Sequence, residues 1–408
     1  MTETNENGLP PFRLTWGEVS GALGDLGVLL PLAAALITVN GLSATGVFFG
    51  VGLAYILTGL VYRLPLPIQP LKAVAAIAIA QGLPAGAVTA AGWWMGILLL
   101  ILAATGAARY LGRLFTRPII RGIQLGLGLL LMRSGVLLAL RRELIPGGAE
   151  QVVRLASRPV PLGWLLAAAA LILLVYGVYR KGPVSLIVFT FGAFVSLVWG
   201  GAADGLGQVR LGLALPRITP PLLPDLWSAL VLLVIPQIPL SLGNAVFATA
   251  DTARAYFGRD ARRVTPRALL TTMGISQVIA ALVGGVPVCH GSGGLTAHHK
   301  LGARTGMAPV LIGSLCLVLA LFVDGNILPI LALVPYPVLG ALLAFVGVQH
   351  GLLARHVRGW EETFVVIVTG ATGFATTNLA LGLAVGMGVQ QCNRVLRPLR
   401  PRHGEARL

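Results

Sequence analysis

Apolar runs about as long as a lipid bilayer is thick follow one another along almost the whole chain. Trp164 to Tyr179 and Met307 to Val323 are two of them, and a helix needs roughly 20 such residues to cross the hydrocarbon core. Leu, Val, Ala and Gly fill the runs without the alternation of an outer-membrane barrel strand. Because backbone polar groups must be paired within lipid, we predict transmembrane helices.

The composition agrees with this class of protein. Of the 408 residues, 56% are hydrophobic and 11% charged, whereas an average soluble domain carries about 25% charged residues. The net charge of +16 does not indicate nucleic acid, because Lys and Arg lie in short loops and form no continuous stripe. Cys289, Cys316 and Cys392 are far apart and predict neither a disulfide nor a metal site. No nucleophile lies with a base and an orienting acid, so an enzyme is not expected.

Gly, Pro and Arg residues divide the chain into about fourteen segments, several of them too short to span a membrane alone. With the N-terminal tail (1–15) in the cytoplasm, most basic residues fall in cytoplasmic loops, as the positive-inside rule requires. The loop from Arg141 to Arg158 is the main exception. We therefore expect a multi-pass protein of a bacterial inner membrane, with the basic tail 397–408 also in the cytoplasm.

Three landmarks recur in the two halves at a constant offset of about 219 to 220 residues. They are an acidic or amide residue after a glycine, a proline-flanked break before a short segment, and a proline that opens a long helix. Seven segments in each unit would invert the second unit relative to the first. The sequence therefore predicts a seven-plus-seven inverted repeat. The matching positions are Gly24 and Asp25 with Gly243 and Asn244, Pro67 with Pro287, and Pro118 with Pro337.

The two proline-flanked breaks, 64–70 and 286–291, are the candidate ligand sites. An interrupted helix at mid-membrane depth must line a cavity or a site, because its backbone groups cannot be left unpaired in lipid. Short helices are expected to begin after Pro70 and after Gly291. Their free N–H groups and the positive ends of their dipoles favour an anion.

Polar and small residues beside the breaks are the candidate contacts. In the first break Gln69 offers amide donors, and Lys72 is a cation one turn into the short helix. In the second, Ser292 offers a hydroxyl beside glycines that let a ligand approach the backbone. For each glycine taken singly, tight helix packing is the alternative. The glycines are Gly291, Gly293 and Gly294.

Ionisable residues within apolar segments are costly and usually functional, and here they are Asp25, Lys72 and His290. Lys72 either contacts the anion or neutralises Asp25 in a buried pair, and the two roles can alternate between states. Because a carboxylate repels a dianion, Asp25 either points away towards Lys72 or is protonated when substrate binds. The second option would couple transport to protons.

Three further polar residues are expected to have structural roles. Glu18 lies near the cytoplasmic boundary, where it would meet Arg63, Arg254 or a neighbouring loop. His298 and His299 are expected to be solvated at the end of a short segment, and their spacing matches no metal site.

At these same residues the sequence resembles the MOT1-type molybdate transporters, a branch of the sulfate permease superfamily. The stretch GGVPVCHGSGGLTAHHKLGARTG from Gly284 is the most specific match, and others begin at Gly17, Leu66, Arg121 and Ile238. The resemblance implies an anion held between the third and tenth helices, and a core domain packed against a gate domain. We expect the first repeat at 16–225 (core 16–112, gate 113–200) and the second at 226–396 (core 226–323, gate 324–396).

Carried over residue by residue, the resemblance assigns the substrate site. This chain departs from the family pattern at Leu66, Leu71 and Val288, where Met is expected, and at Ser292, where Ala is frequent. It also ends soon after its last segment, which leaves no room for a STAS domain. The assigned residues are Gln69, Pro70 and Lys72 in the first half and Cys289, His290, Gly291, Ser292, Gly293 and Gly294 in the second, with Asn244 as the counterpart of Asp25.

The implied function is secondary active import of molybdate, without a cofactor. Tungstate and sulfate share its shape and charge, so a sulfate or other anion transporter of the same fold stays an alternative, as does an anion channel. Membrane lipids are the expected surroundings. The oligomeric state is open, with a homodimer as one option.

Overall fold

The computed structural model describes residues 10–145, 148, 150–155, 158–179, 184–207, 209–323 and 328–396. The basic tail 397–408 and the predicted boundary at residue 324 lie outside these residues. The first half contains α1 (Trp16–Asn40), α2 (Ala44–Tyr62), α3 (Lys72–Gln81), α4 (Ala85–Thr105), α5 (Ala108–Leu114), α6 (Arg117–Ala139), α7 (Leu162–Tyr179), α8 (Val184–Val198) and α9 (Ala202–Leu206). The second half contains α10 (Leu223–Arg263), α11 (Pro266–Leu282), α12 (Ser292–Lys300), α13 (Met307–Phe322), α14 (Leu328–Leu331), α15 (Tyr336–Gly351), α16 (Trp360–Ala375) and α17 (Leu379–Leu396).

Among the described residues, six helices are long and apolar enough to cross a membrane: α1, α2, α4, α6, α10 and α15. Shorter apolar helices, including α3, α7 and α13, lie between them. The helical, multi-pass membrane class predicted from the sequence is confirmed.

Within the described ranges, four short strands interrupt the helices, so the predicted all-α class is incomplete. They are β1 (Gln69–Pro70), β2 (Val152–Leu155), β3 (Arg158–Pro161) and β4 (Val288–Cys289). β2 and β3 pair antiparallel within the loop that is the main exception to the positive-inside rule. β1 and β4 come from the two predicted breaks and pair antiparallel, with Gln69 opposite Cys289. Prolines keep these residues out of a helix, and the pairing satisfies backbone groups that lipid cannot.

The short helices begin where the sequence predicted them. α3 starts at Lys72 and α12 at Ser292, each directly after its break. The third landmark is confirmed as well, because Pro118 and Pro337 lie in the first turns of α6 and α15. Proline suits this position, since its missing N–H would be unpaired there in any case.

Helix pairs hold the bundle together through small residues. α2 packs on α13, α4 on α11 and α6 on α15. In the last pair a Cβ added to Gly135 would lie 2.6 Å from Gly340 O, and one added to Gly128 would lie 2.6 Å from Gly347 O. Such close backbone approach replaces hydrophobic driving force where the surroundings are lipid.

Glu18 fixes the end of α1 against the start of α13. Its side chain is 2% exposed and accepts hydrogen bonds from Arg304 N and Thr305 N, both at 2.9 Å, and from Ala308 N at 3.2 Å. A carboxylate at the positive end of α13 is favourable. Of the partners predicted for Glu18, the structure selects the neighbouring loop.

α10 is wound irregularly where it passes the two breaks. Wider π-helical turns at Leu230–Val234 and Ser241–Ala248 flank a segment that contains Pro236 and Pro239. Proline removes a backbone donor and displaces the preceding turn, and wide turns of this kind frequently occur at functional sites. The irregular stretch carries Gln237 and Asn244.

Candidate anion-binding site

The N-termini of α3 and α12 meet because the paired strands β1 and β4 immediately precede them. Leu71 donates its backbone N–H to Pro287 O at 2.8 Å, across the ladder. The N-cap residues themselves, Leu71 and Gly291, supply no side-chain cap to either helix. The two positive helix ends therefore come together at the ladder.

Polar side chains from three elements converge on Gly291. A Cβ placed on this glycine would lie 3.5 Å from Lys72 Nζ, 3.6 Å from Asn244 Nδ2 and 3.9 Å from Gln69 Oε1. The structure thus brings together Gln69, Lys72, Asn244 and Gly291, four of the residues predicted for the site.

Two amide side chains are oriented with their NH2 groups available to a ligand. Ser292 Oγ donates to Asn244 Oδ1 at 2.8 Å, and Arg121 Nη1 donates to Gln124 Oε1 at 2.8 Å. Because each carbonyl oxygen already accepts a hydrogen bond, the nitrogen is the group left to act as a donor. Gln69 has the opposite orientation, with Nε2 on Asp25 and Oε1 towards Gly291.

A small cavity joins this region to residues that the sequence did not indicate. Its volume is about 20 Å³, room for about one water, so a tetrahedral oxyanion would require the side chains to move apart. Gln237 Oε1 accepts from Ala73 N at 2.9 Å, which caps the first turn of α3. One predicted free N–H at this helix end is therefore already paired. The lining side chains are Lys72, Gln124, Leu127, Gln237, Leu240, Asn244, Ala245, Cys289 and His350.

The carboxylate of Asp25 is turned away from the anion site. It is 1% exposed and accepts hydrogen bonds from Tyr55 Oη and Gln69 Nε2. His298 Nε2 lies 3.4 Å from Asp25 Oδ2. No ion pair between Asp25 and Lys72 exists among the described residues, so the predicted buried pair is not formed in this state.

The prediction for His298 was wrong, because this side chain is fully buried. Its position in a run of polar residues at a helix end suggested solvent, whereas the face of α12 that carries it packs on α1. A Cβ on Gly21 of α1 would lie 3.3 Å from His298 O, so the glycine permits this approach. His299 is half-buried and stacks on the Tyr256 ring, with centroids 4.3 Å apart.

The side chain of His290 does not line the cavity. Its ring nitrogens contact Pro67 O at 3.1 Å and Thr272 Oγ1 at 3.2 Å, and its ring stands edge-on to Tyr62. Because a carbonyl only accepts, Nδ1 donates to Pro67 O. Within this structure His290 supports the ladder and does not face the converging donors.

Of the remaining predicted residues, one lines the cavity and others support the backbone around it. Cys289 lines the cavity, and Pro70 belongs to the ladder. A Cβ on Gly294 would lie 2.7 Å from Pro67 Cβ, so tight packing explains this glycine. Gly293 is exposed and has nothing within 4 Å of such a Cβ.

The signature stretches match a known family. The sequence profile described as molybdate transporter of the MFS superfamily matches residues 17–131 and 229–349, which include both breaks. Molybdate transporter 1 of Chlamydomonas reinhardtii is 28% identical over 92% of this chain and 91% of its own length. A probable sulfate transporter of Mycobacterium tuberculosis is 26% identical over 93% of this chain and 69% of its own length.

The fold has a counterpart among solved structures. The transmembrane domain of a cyanobacterial bicarbonate transporter superposes with a TM-score of 0.63 at 17% identity, covering 93% of this chain and 98% of that one. The family and the relatives are transporters, so the prediction that the chain is not an enzyme is confirmed. Because the family profile spans more than half of the sequence, the chain belongs to the molybdate transporter family of the MFS superfamily.

Proposed function

We propose that the chain is a secondary active transporter that imports molybdate, held between the N-termini of α3 and α12. The observation that supports this most directly is the set of donors that line the small cavity: the ammonium of Lys72 and the NH2 groups of Asn244 and Gln124. Lys72 and Asn244 also lie beside Gly291. A tetrahedral dianion needs positive charge and donors from several directions, and charge-assisted hydrogen bonds are the strong ones.

Sulfate is the second candidate substrate. It shares the charge and the tetrahedral shape of molybdate, and one similar protein is named a probable sulfate transporter. The donors around Gly291 suit either ion, because neither Lys72 nor the amides distinguish one oxyanion from another by charge. Binding of both ions to one purified preparation decides between them.

The transport cycle is inferred to use a seven-plus-seven inverted repeat. The internal offsets support it, and Gln69 faces its own counterpart, Cys289, across the ladder. Exchanging the repeats turns the α2–α13 contact into the α4–α11 contact, and both exist. Fourteen membrane segments, with both termini in the cytoplasm of a bacterial inner membrane, follow from the repeat and the positive-inside rule.

The proposed core comprises 16–112 and 226–323, and the proposed gate 113–200 and 324–396. The small cavity lined by Lys72, Gln124, Asn244 and His350, called the central cavity from here on, has walls from both proposed bodies. Lys72 and Asn244 belong to the proposed core, whereas Gln124 and His350 belong to the proposed gate. Movement of one body against the other would expose the bound ion first to one side of the membrane and then to the other.

Asp25 and His298 are the proposed site of proton coupling. They come from opposite repeats, and Gln69 links the Asp25 carboxylate to the ladder beside the anion site. A proton taken up by this cluster would reduce the negative charge beside an incoming dianion. Tyr55, which also donates to Asp25, completes the cluster.

The test of the proposed function is replacement of Lys72 by Met, which keeps the length of the side chain and removes the charge. We expect molybdate binding, measured by calorimetry on detergent-purified protein, to weaken at least about 100-fold, because a charge-assisted contact in a half-buried site is lost. Lys300→Met is the matched control, since Lys300 is exposed and distant from the cavity lining.

Wild-type affinity in Lys72→Met would refute this site. Tight molybdate and tungstate binding with weak sulfate binding in the wild type would support molybdate as substrate, and the reverse order would support sulfate. Uptake into vesicles against a molybdate gradient distinguishes a transporter from a channel, because a channel cannot drive uphill flux.

A further inference from the structure

We propose a second oxyanion site, an outer vestibule formed by Arg133 and Arg141, in which the substrate waits before it reaches the site at Gly291. This inference rests on the proposed function. The two arginines line a cavity of about 170 Å³. The ends of α1 and α3 form one wall, and α6 with Leu343 of α15 forms the other.

The charge of this vestibule is not neutralised by the described residues. Arg133 is exposed, and no ion pair to either arginine is present in the described part of the chain. Arg141 packs its guanidinium over the Tyr336 ring, 4.8 Å from the centroid. Of the nearby carboxylates, Glu150 pairs with Arg142 at 3.4 Å. Glu143 lies within electrostatic reach of Tyr336 but is exposed and forms no described ion pair with Arg133 or Arg141. Among the described residues, two positive groups therefore border one cavity without an ion-pair partner.

The arginines also outweigh the negative dipole end of α3, which lies beside them. α3 ends at this cavity with Ile79 and Ala80 in its wall, and the carbonyl end of a helix carries partial negative charge. An anion would be repelled there if the helix end acted alone. Full charges on Arg133 and Arg141 outweigh the partial charge and make the cavity attractive to an oxyanion.

Helices α3 and α6 each line both cavities and so connect the vestibule to the central site. On α6, Gln124 lines the central cavity and Arg133 the outer one, and nine residues at 1.5 Å each separate them by roughly 14 Å. Leu127, Leu130 and Leu131 lie between and are fully buried. An apolar barrier thus closes the direct path in this conformation, so the vestibule is a separate site.

A cationic vestibule should act mainly on the capture of substrate. Clefts of one charge raise the local concentration and the association rate of an oppositely charged ligand by about 10- to 1,000-fold at low salt. Salt removes this effect, because the screening length falls from about 10 Å at 0.1 M to about 3 Å at 1 M. A structural role for the arginines would not depend on salt in this way.

The experiment measures initial molybdate uptake into right-side-out membrane vesicles that contain the full chain. The variants are Arg133→Gln, Arg141→Gln and the double variant, and Arg154→Gln on β2 is the matched control, since it is exposed and lines neither cavity. We expect the double variant to raise KM about 10-fold at about 0.01 M salt with kcat unchanged, and the difference to disappear near about 1 M. Molybdate affinity in detergent at high salt should stay that of the wild type.

Three results would overturn the vestibule. In the first, the double variant matches Arg154→Gln at low salt. In the second, its molybdate affinity at high salt falls as much as its KM rises, which would place the arginines in the central site. Loss of a retained phospholipid from the double variant, seen by mass spectrometry with KM unchanged, would assign the arginines to a lipid headgroup. If the wild type binds no molybdate, the proposed substrate fails, and the same variants tested with sulfate still decide the vestibule.

Discussion

The two breaks have the same backbone design but contribute different chemistry. Each passes through a short strand into a short helix, and the first helical residues, Lys72 and Ser292, correspond in the repeat. The first break contributes a cation whose helix end is capped by Gln237. The second contributes a neutral hydroxyl and Gly291, which has no side chain and lets Lys72 and Asn244 approach its backbone. The first half supplies positive charge, and the second supplies a neutral surface beside it.

Asp25 and its counterpart Asn244 also differ in charge between the two halves. Asp25 is buried and held by Tyr55, Gln69 and His298. Asn244 is neutral, and its carbonyl oxygen accepts a hydrogen bond from Ser292, so its NH2 group is left free beside Gly291. A dianion can be bound only if the carboxylate of one repeat is kept out of the site and the other repeat has none. The comparison therefore predicts that charge, more than shape, separates the two halves.

The largest effect should come from making the halves alike in charge. Asn244→Asp places a carboxylate beside Lys72, where it would pair with the ammonium and repel the oxyanion. Two unit charges about 4 Å apart attract or repel each other by roughly 4 kcal/mol near a protein surface. Because the new carboxylate both neutralises Lys72 and repels the anion, we expect the molybdate affinity measured by calorimetry to fall at least about 100-fold.

Asn244→Ser is the control for this change, because it shortens the side chain without adding charge. It should weaken binding by about 10-fold, the value of one lost hydrogen bond. Equal affinity in Asn244→Asp and the wild type would show that Asn244 does not face the ion and would break the comparison.

The backbone of the site could be predicted from the sequence, but the polar side chains that other helices bring to its cavity could not. Prolines in both breaks fixed the starts of α3 and α12, and the scarcity of charge singled out Lys72. Gln124, Gln237 and His350 were missed because each lies in a largely apolar helix, and only the packing of distant helices brings it to the cavity. The polar residue in the stretch RGIQLGLGLLL, Gln124, was the available signal.

The burial of His298 and the partners of Asp25 could not be predicted, for one reason. Neighbouring polar residues suggested that His298 was solvated, but a short helix exposes only one face. A buried carboxylate needs several partners, and Lys72 was the candidate that the sequence offered inside an apolar segment. The partners came instead from α2, β1 and α12, which the sequence could not place beside α1.

A smaller effect is expected from Asp25→Asn, which acts on stability. The amide can accept with one oxygen only, so a buried donor of Tyr55 or Gln69 loses its partner, at a cost of about 1–3 kcal/mol in the free energy of unfolding. Thermal unfolding in detergent measures this. Asp251→Asn is the matched control, because Asp251 is exposed, and it should unfold like the wild type.

The same variant sharpens the comparison through pH. If Asp25 and His298 carry the coupled proton, wild-type uptake rises as the pH falls, and uptake by Asp25→Asn no longer responds. A variant that is destabilised yet keeps the pH response would limit Asp25 to a structural role. His298→Gln should then also leave the pH profile unchanged.

The smallest effects distinguish the glycines of the second break. Gly291 has an extended backbone with φ −165°, so Ala fits there without strain. Its methyl group would lie 3.5 Å from Lys72 Nζ and 3.6 Å from Asn244 Nδ2, ordinary contact distances. Gly291→Ala should therefore fold normally but place carbon where the ion binds, and we expect about 10-fold weaker molybdate binding by calorimetry.

Gly293→Ala is the matched change two residues further along the chain, since nothing lies within 4 Å of the added carbon. We expect its affinity to stay within about 2-fold of the wild type, a difference below about 0.5 kcal/mol. If Gly293→Ala weakened binding more than Gly291→Ala, the ion would lie on the exposed side of α12. Lys72 and Asn244 would then be too far from it to act as its donors, and the difference in charge between the halves would need another explanation.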